Sequence, residues 1–215
     1  MGWMEQLQAT NGVQATVCAM GAYVLGCFAT GYYLVRARTG RDIRNSESGS
    51  IGARNVSCVL GKTGFFLTVF GDVAKGILAV WAAHRFTGND LLAALAMLAV
   101  VVGHIWPAQL FFRGGKGVAT SLGALLVYDQ QLLIAFILIF AGGFALTRKT
   151  ILPGLLAYVC LPFVCYWLDH NGLKVAIVVF LGAMILFAHR NNVVEEIPAL
   201  AARRGVTAKP ERPKL

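Results

Sequence analysis

A chain of 215 residues, 57% hydrophobic and only 13% charged, with a mean hydropathy of +0.66, has too little polar surface to cover a soluble domain of its size. Composition therefore excludes a water-soluble globular protein and predicts an all-α fold, a polytopic integral membrane helix bundle. The formal net charge of +9 speaks for membrane topology and anionic headgroups and not for nucleic acid, because no basic and aromatic platform stands outside the apolar stretches.

In chain order, the first apolar stretch is Val13–Val35. The residues before it lack a basic n-region and a cleavage site, so it reads as a permanent span and not as a signal peptide. The polar loop behind it carries Asp42-Ile-Arg-Asn-Ser-Glu-Ser-Gly-Ser-Ile-Gly-Ala-Arg-Asn55, punctuated by glycines and small hydroxyl residues, with a short helix expected from Ala53. Small donors beside an arginine suit an anion. A solvated basic loop would explain the arginines equally well, but not the Ser-Gly-Ser-Ile-Gly spacing.

Gly64–Ala83 is the second span, and Asp72 and Lys75 lie inside it, three apart on one helix face. Ionisable groups at that depth are expensive unless they face partners or a wet cavity. An internal ion pair and a lysine that reaches an anion at the interface are both open. The third span, Leu91–Phe111, carries Gly103-His-Ile-Trp-Pro107 near its end, where His104 is either bonded to a loop carbonyl or a proton acceptor.

Phe111-Phe-Arg-Gly-Gly-Lys-Gly-Val-Ala-Thr-Ser121 then sets three glycines around Lys116 at the start of a further apolar segment, Gly117–Tyr128. A Gly-rich turn running into a helix N-terminus suits phosphate, because backbone N–H groups can approach the anion and the helix dipole favours negative charge. The bland alternative is an interfacial turn with a snorkelling lysine. A Walker-type loop is a poor match, since Lys116 is not followed directly by Ser or Thr and no hydrophilic nucleotide domain exists. Gly117–Tyr128 is short for a crossing and needs local thinning of the bilayer.

Gln131–Thr147, Thr150–Leu168 and Gly172–Ala188 bring the expected spans to seven. His189-Arg-Asn-Asn192 follows, with His189 and Asn192 on one face if the helix continues. It offers a base and a neutral amide donor, or simply a capping cluster. The rest reads as one transmembrane domain over residues 1–200 and a basic tail over residues 201–215, disordered or lying on the membrane surface. Cys18, Cys27, Cys58, Cys160 and Cys165 have no paired-ligand spacing and read as small core residues, with no metal site.

Placing the N-terminus outside and the C-terminus in the cytoplasm puts all 19 lysines and arginines except Lys75, Arg85 and Lys174 on the cytoplasmic side. Asp90, Asp129 and Asp169 then fall in outer turns. The assignment holds only if Gly117–Tyr128 crosses. It gathers three polar segments, Asp42–Gly61, Gly103–Thr120 and His189–Glu196, on one face.

Taken together these segments resemble the bacterial acyl-phosphate:glycerol-3-phosphate acyltransferase family, PlsY. The likeness runs through Asp42-Ile-Arg44, Ser48-Gly-Ser-Ile-Gly-Ala-Arg-Asn55 with Gly61, Asp72-Val-Ala-Lys-Gly76, Gly103-His-Ile-Trp-Pro107, Gly114-Gly-Lys-Gly-Val-Ala-Thr120, and His189 with Asn192. The resemblance implies an enzyme of the bacterial inner (plasma) membrane with a cytoplasmic active site and no cofactor. It acylates glycerol 3-phosphate from acyl phosphate to give lysophosphatidic acid for phospholipid synthesis, with membrane lipids around it.

The roles it implies are these. Gly114, Gly115, Gly117 and Lys116 hold a phosphate, most simply that of the donor, with Thr120 also among the substrate-binding residues, while the acyl chain lies in a groove between spans. Ser48, Ser50, Arg54, Asn55, Lys75, His189 and Asn192 hold the acceptor and the developing negative charge. His189, His104 or the leaving phosphate takes the hydroxyl proton. Departures from the family pattern are Ser50 for asparagine, Arg54 for threonine, Cys58 for arginine, Val193–Pro198 after the last asparagine, and missing serines near Ile151–Gly154. Two alternatives therefore stay open. One is an acyltransferase of the same architecture with another polar acceptor; the other is a transporter or lipid-binding protein in which Asp72 and Lys75 are pathway charges. The sequence leaves the oligomeric state open.

Overall fold

The computed structural model describes residue 5 and residues 10–192, and all regular elements among the described residues are helical. The sequence departures at Val193–Pro198 and the tail at 201–215 lie outside the described residues. The α-helices among the described residues are α1 (Gly12–Cys27), α2 (Thr30–Thr39), α3 (Ala53–Thr87), α4 (Asp90–Ile105), α5 (Val118–Tyr128), α6 (Gln130–Thr147), α7 (Ile151–Asp169) and α8 (Gly172–Ala188).

Among the described residues, the segments long and apolar enough to cross a membrane number five: Gly12–Thr39, Ala53–Thr87, Asp90–Leu110, Gln130–Thr147 and Ile151–Asp169. Helices stand where the other two spans were expected, but α8 has 17 residues and α5 only 11. At 1.5 Å per residue α5 is about 16 Å long, against a hydrocarbon core of about 30 Å.

Three boundaries differ from the sequence expectation, each for a visible reason. The first span is broken at Phe28 and Ala29, which are both non-helical. Carbonyls freed in an apolar region must find donors inside the protein. Lys75 Nζ donates to Gly26 O at 3.1 Å and to Phe28 O at 2.8 Å, and Gln109 Nε2 donates to Cys27 O. The short helix at Ala53 and the second span run together as α3, bent at Gly61, whose φ of 65° and ψ of −159° suit glycine alone. The third span stops at Ile105, and a single 3₁₀ turn, Ala108–Leu110, leads into the glycine loop.

Two close crossings position the interior. A Cβ on Gly26 or Gly103 would strike the backbone of the opposite helix, so α1 and α4 touch backbone to backbone; Gly76 and Gly123 do the same for α3 and α5. Such contacts replace hydrophobic driving force with close packing where the surroundings are themselves apolar. Ala94, Ala96, Met97, Val100 and Val101 of α4 form the centre of the core with Leu161 of α7 and Leu181 and Ile185 of α8. Val13, Val17, Met20 and Val24 of α1, and Phe66 and Phe70 of α3, lie on the outside, a surface suited to lipid.

The two ends of the bundle are built differently. At one end Asn11, Asn89, Asp129 and Asn171 each cap a helix through a side-chain oxygen. Asn89 also reaches Thr10, and Lys174 bridges Asp129 at 2.5 Å and Asp169 at 2.9 Å beside a polar recess of about 300 Å³. At the other end α3, α5 and α7 begin after Gly52, Gly117 and Thr150, and none has a side-chain cap bond. Helix starts without such caps leave N–H groups for another acceptor.

Candidate active site

The glycine loop is held from both sides. Gly114 N donates to Ile105 O at 3.1 Å and Gly115 N to His104 O at 3.0 Å, so the loop folds back on the end of α4. These two amides are engaged within the protein. The amides placed to meet an anion are those opening α5, where Gly117 at φ 82° turns the chain into the helix. A glycine is required there, since an L side chain is strained at that angle. Gly115 is required for a different reason: a Cβ would fall on the imidazole of His104, 2.7 Å from Cε1 and closer still to Nε2.

Lys116 and the last segment meet over this helix start. Lys116 Nζ donates to Asn192 Oδ1, which leaves the Asn192 amide nitrogen as a donor. His189 is 7% exposed, and its Nδ1 lies 2.8 Å from Ile185 O. A carbonyl only accepts, so Nδ1 carries the proton and neutral His189 presents a bare Nε2. Burial, and then the Lys116 charge, lower its pKa below the ordinary histidine value, while the bond to Ile185 opposes them. His189 is thus held as a neutral base. The Trp106 and Phe187 rings, 6.1 Å apart, join the end of α4 to the end of α8 behind it.

Behind the loop is a buried charge cluster. Lys75, 3% exposed, stands 3.0 Å from Asp72 Oδ1 and 2.8 Å from Nδ1 of His104, besides the two carbonyls of the α1–α2 break. Asp72 Oδ1 is placed for charge pairing with no hydrogen bond of its own.

The sequence profile of the family described as glycerol-3-phosphate acyltransferase matches residues 16–197. The chain belongs to the glycerol-3-phosphate acyltransferase family. It is 43% identical over 185 residues to glycerol-3-phosphate acyltransferase 1 of Desulfitobacterium hafniense, covering 86% of this chain and 92% of that one. With the enzyme of Clostridioides difficile it shares 40% over 183 residues, 82% and 89% of the two chains. The crystal structure of PlsY (YgiH), an integral membrane glycerol 3-phosphate acyltransferase in its glycerol 3-phosphate form, superposes with a TM-score of 0.77 at 28% identity, over 91% of this chain and 94% of that one. Its lysophosphatidic acid form gives 0.74 at 27%, with the same coverage.

Within this acyltransferase fold, His104, Gly115, Lys116, Gly117, His189 and Asn192 are brought together around the start of α5. Other expected site residues fall elsewhere. Lys75 is engaged in the buried cluster. Thr120 is fully buried on the α3 side of α5. Asn55, 3% exposed, directs its Nδ2 to the carbonyls of Ile43, Ser46 and Ser50 at 3.1, 3.1 and 2.7 Å and so shapes the first loop from within. Ser50 Oγ accepts from Gly52 N at 3.2 Å, while Ser48, Arg54 and Cys58 are exposed. Arg54 and Cys58 stand one helical turn apart.

Sequence reasoning assigned no role to Arg44, which pins the first loop to the second. Its guanidinium pairs with Asp42 at 2.6 Å and donates to Leu110 O at 2.8 Å, over an apolar cluster of Val35, Ile43, Ile51, Val56 and Leu110. The Asp42-Ile-Arg44 spacing was the available signal. The Arg44 guanidinium holds the Asp42 carboxyl below its ordinary pKa.

Proposed function

We propose that this protein is a seven-span acyltransferase of the bacterial inner (plasma) membrane, with its N-terminus outside and its active site facing the cytoplasm, that moves a fatty acyl group from acyl phosphate to glycerol 3-phosphate. The observation that carries the reading is the constellation at the start of α5: uncapped helix amides, Lys116 bonded to Asn192, and a neutral His189 beside them. An acyl phosphate is a mixed anhydride, so the site has only to hold its phosphate, place a hydroxyl and receive a proton. No metal or organic cofactor enters this scheme.

The reaction has two phosphates to place, and of the uncapped helix starts at this end α5 stands beside Lys116 and α3 opens with Arg54, while α7 follows Arg148 and Lys149. The donor phosphate sits at α5, and glycerol 3-phosphate is held from the first loop by Arg54, Ser48 and Ser50. Asn55 keeps that loop in shape. The acceptor hydroxyl oxygen attacks the acyl carbon, the bond from that carbon to the bridging oxygen breaks, and inorganic phosphate leaves with the bridging oxygen. The proton passes to His189 Nε2, with an oxygen of the departing phosphate as the alternative acceptor. Lys116 and the Asn192 amide stabilise the charge that develops. Lysophosphatidic acid remains in the membrane.

Arg54 in place of threonine and Cys58 in place of arginine favour a second reading, in which the same chemistry serves a different polar acceptor. The test is purified protein with palmitoyl phosphate and a panel of hydroxyl acceptors, products identified by mass. Lysophosphatidic acid as the dominant product supports the first reading. A different ester would replace the acceptor, and no ester with any acceptor would end the proposal.

A further inference from the structure

His104 and His189 flank one site, yet the atoms bonded to their rings are of opposite kinds. His189 Nδ1 faces a carbonyl, which forces its proton onto Nδ1. His104 Nδ1 faces the Lys75 amine at 2.8 Å. That amine also lies 3.1 and 2.8 Å from Gly26 O and Phe28 O, and these carbonyls can only accept. An ammonium has only protons to offer, and every atom within 3.1 Å of it, the two carbonyls, Asp72 Oδ1 and Nδ1 of His104, can stand as an acceptor. Asp72, 3.0 Å from Nζ, compensates the charge, and of an amine and an imidazole the amine is the stronger base. Lys75 therefore keeps its proton and donates to Nδ1, which leaves the His104 proton on Nε2.

The Nε2 edge points at the glycine loop, in the space a Cβ on Gly115 would occupy. Among the described residues no group bonds this nitrogen. We propose that Asp72 and Lys75 are positioning residues that lock His104 in its Nε2–H tautomer, making it a neutral hydrogen-bond donor to the phosphate held at the start of α5 and leaving His189 as the site's only imidazole base. The identity of the ligand rests on the acyltransferase reading; the tautomer does not.

The chemistry explains why the two rings are not interchangeable. A phosphate oxygen needs donors, and a cationic imidazole there would stand against Lys75 at hydrogen-bond distance. A neutral Nε2–H supplies the bond without that repulsion. It requires that Nδ1 be occupied by a donor, and buried lysine is such a donor. The break between α1 and α2 supplies the two carbonyls that aim the ammonium.

The test reads the tautomer first, with no substrate present. Protein labelled with ¹⁵N-histidine, in detergent or nanodiscs, should show His104 protonated at Nε2 and bare at Nδ1, and His189 the reverse, each assigned by its loss in a single-histidine variant. In Lys75→Met the donor to Nδ1 is gone and Asp72, 3.6 Å away, stands as an acceptor for it, so the His104 proton should move to Nδ1 while His189 is unchanged. Wild-type His104 protonated at Nδ1, or at both nitrogens, would overturn the inference whatever the enzyme's activity.

The second arm separates donor from base and does not depend on Lys75→Met folding. The amide of His104→Gln places an N–H near the Nε2 position but accepts no proton, so this variant should keep a higher kcat and a lower KM for acyl phosphate than His104→Leu. His104→Leu should raise that KM about tenfold or more. Glutamine as inactive as leucine, in protein that melts normally, would make His104 a base and refute the donor role. Failure of the acyltransferase reading would look different: the wild type would turn over no acyl phosphate while the tautomer signals stayed as described.

Discussion

Gly115→Ala probes the contact on which the loop geometry depends. The added Cβ would sit 2.7 Å from Cε1 and 3.0 Å from Cδ2 of His104. The loop cannot simply lift, because Gly115 N is bonded to His104 O at 3.0 Å, and the ring cannot swing without lengthening its 2.8 Å bond to Lys75. Overpacking of this kind costs about 1–3 kcal/mol, and loss of a charge-assisted hydrogen bond about 1.5–3 kcal/mol. Whichever gives way first, the variant should be destabilised by about 1–3 kcal/mol. If the ring yields, KM for acyl phosphate should rise about tenfold. Thermal unfolding followed by intrinsic fluorescence gives the first quantity, and steady-state rates with acyl phosphate varied at saturating acceptor give the second. In a His104→Ala background the same change should cost almost nothing in stability, because the atoms it strikes are gone. Wild-type melting and wild-type KM for Gly115→Ala alone would refute this packing.

Other perturbations follow from the same geometry. Lys116→Met should raise KM for acyl phosphate about tenfold or more, and by removing a charge that lowers the His189 pKa it should move the acidic limb of the kcat profile toward neutrality; an unmoved limb would mean the two do not interact. Because the folded state lowers the His189 pKa, protonation opposes folding, and this contribution makes stability fall as pH drops below the ordinary histidine value of about 6.5. His189→Gln should remove that slope in calorimetry. Asp42→Asn should loosen Arg44 from Leu110, raising KM for the acceptor more than for the donor and speeding protease cleavage in the first loop; equal effects on both substrates would argue against separate phosphate sites. Arg54→Thr should weaken acceptor use and Arg54→Thr with Cys58→Arg should restore it, with a coupling of about 1–3 kcal/mol if one cation replaces the other. Strict additivity would show that they do not substitute.

Much of this arrangement was legible in the sequence. Hydropathy located the apolar stretch behind each described transmembrane helix, because apolar length is a strong signal, though it read Val13–Val35 as one span where α1 and α2 stand, and counting lysines and arginines gave the expectation that the three polar segments share one face. The i, i+3 spacing of Asp72 and Lys75 made an ion pair one of two open readings, and the pair is present at 3.0 Å. What it could not announce was the third member, because His104 is 29 residues from Lys75 and arrives only through the crossings at Gly26, Gly103, Gly76 and Gly123. The break at Phe28 and Ala29 carries no proline and no local signal. It exists because Lys75 and Gln109, distant in sequence, satisfy the carbonyls it frees. The loop glycines were expected to cradle a phosphate, but their structural division of labour could not be read: Gly114 and Gly115 pack against α4, and Gly117 turns the chain into α5.

The measurement that bears most directly on the central claim is a single-turnover and steady-state comparison of the purified wild type with Lys116→Met and His189→Ala, supplied with palmitoyl phosphate and glycerol 3-phosphate. Lysophosphatidic acid and inorganic phosphate should appear in equal amounts in the wild type, with the rate cut by at least about tenfold in each variant while its melting remains within a few degrees. Unchanged rates in both variants, or phosphate released without lysophosphatidic acid, would contradict the assignment of the acyl-transfer site to the start of α5.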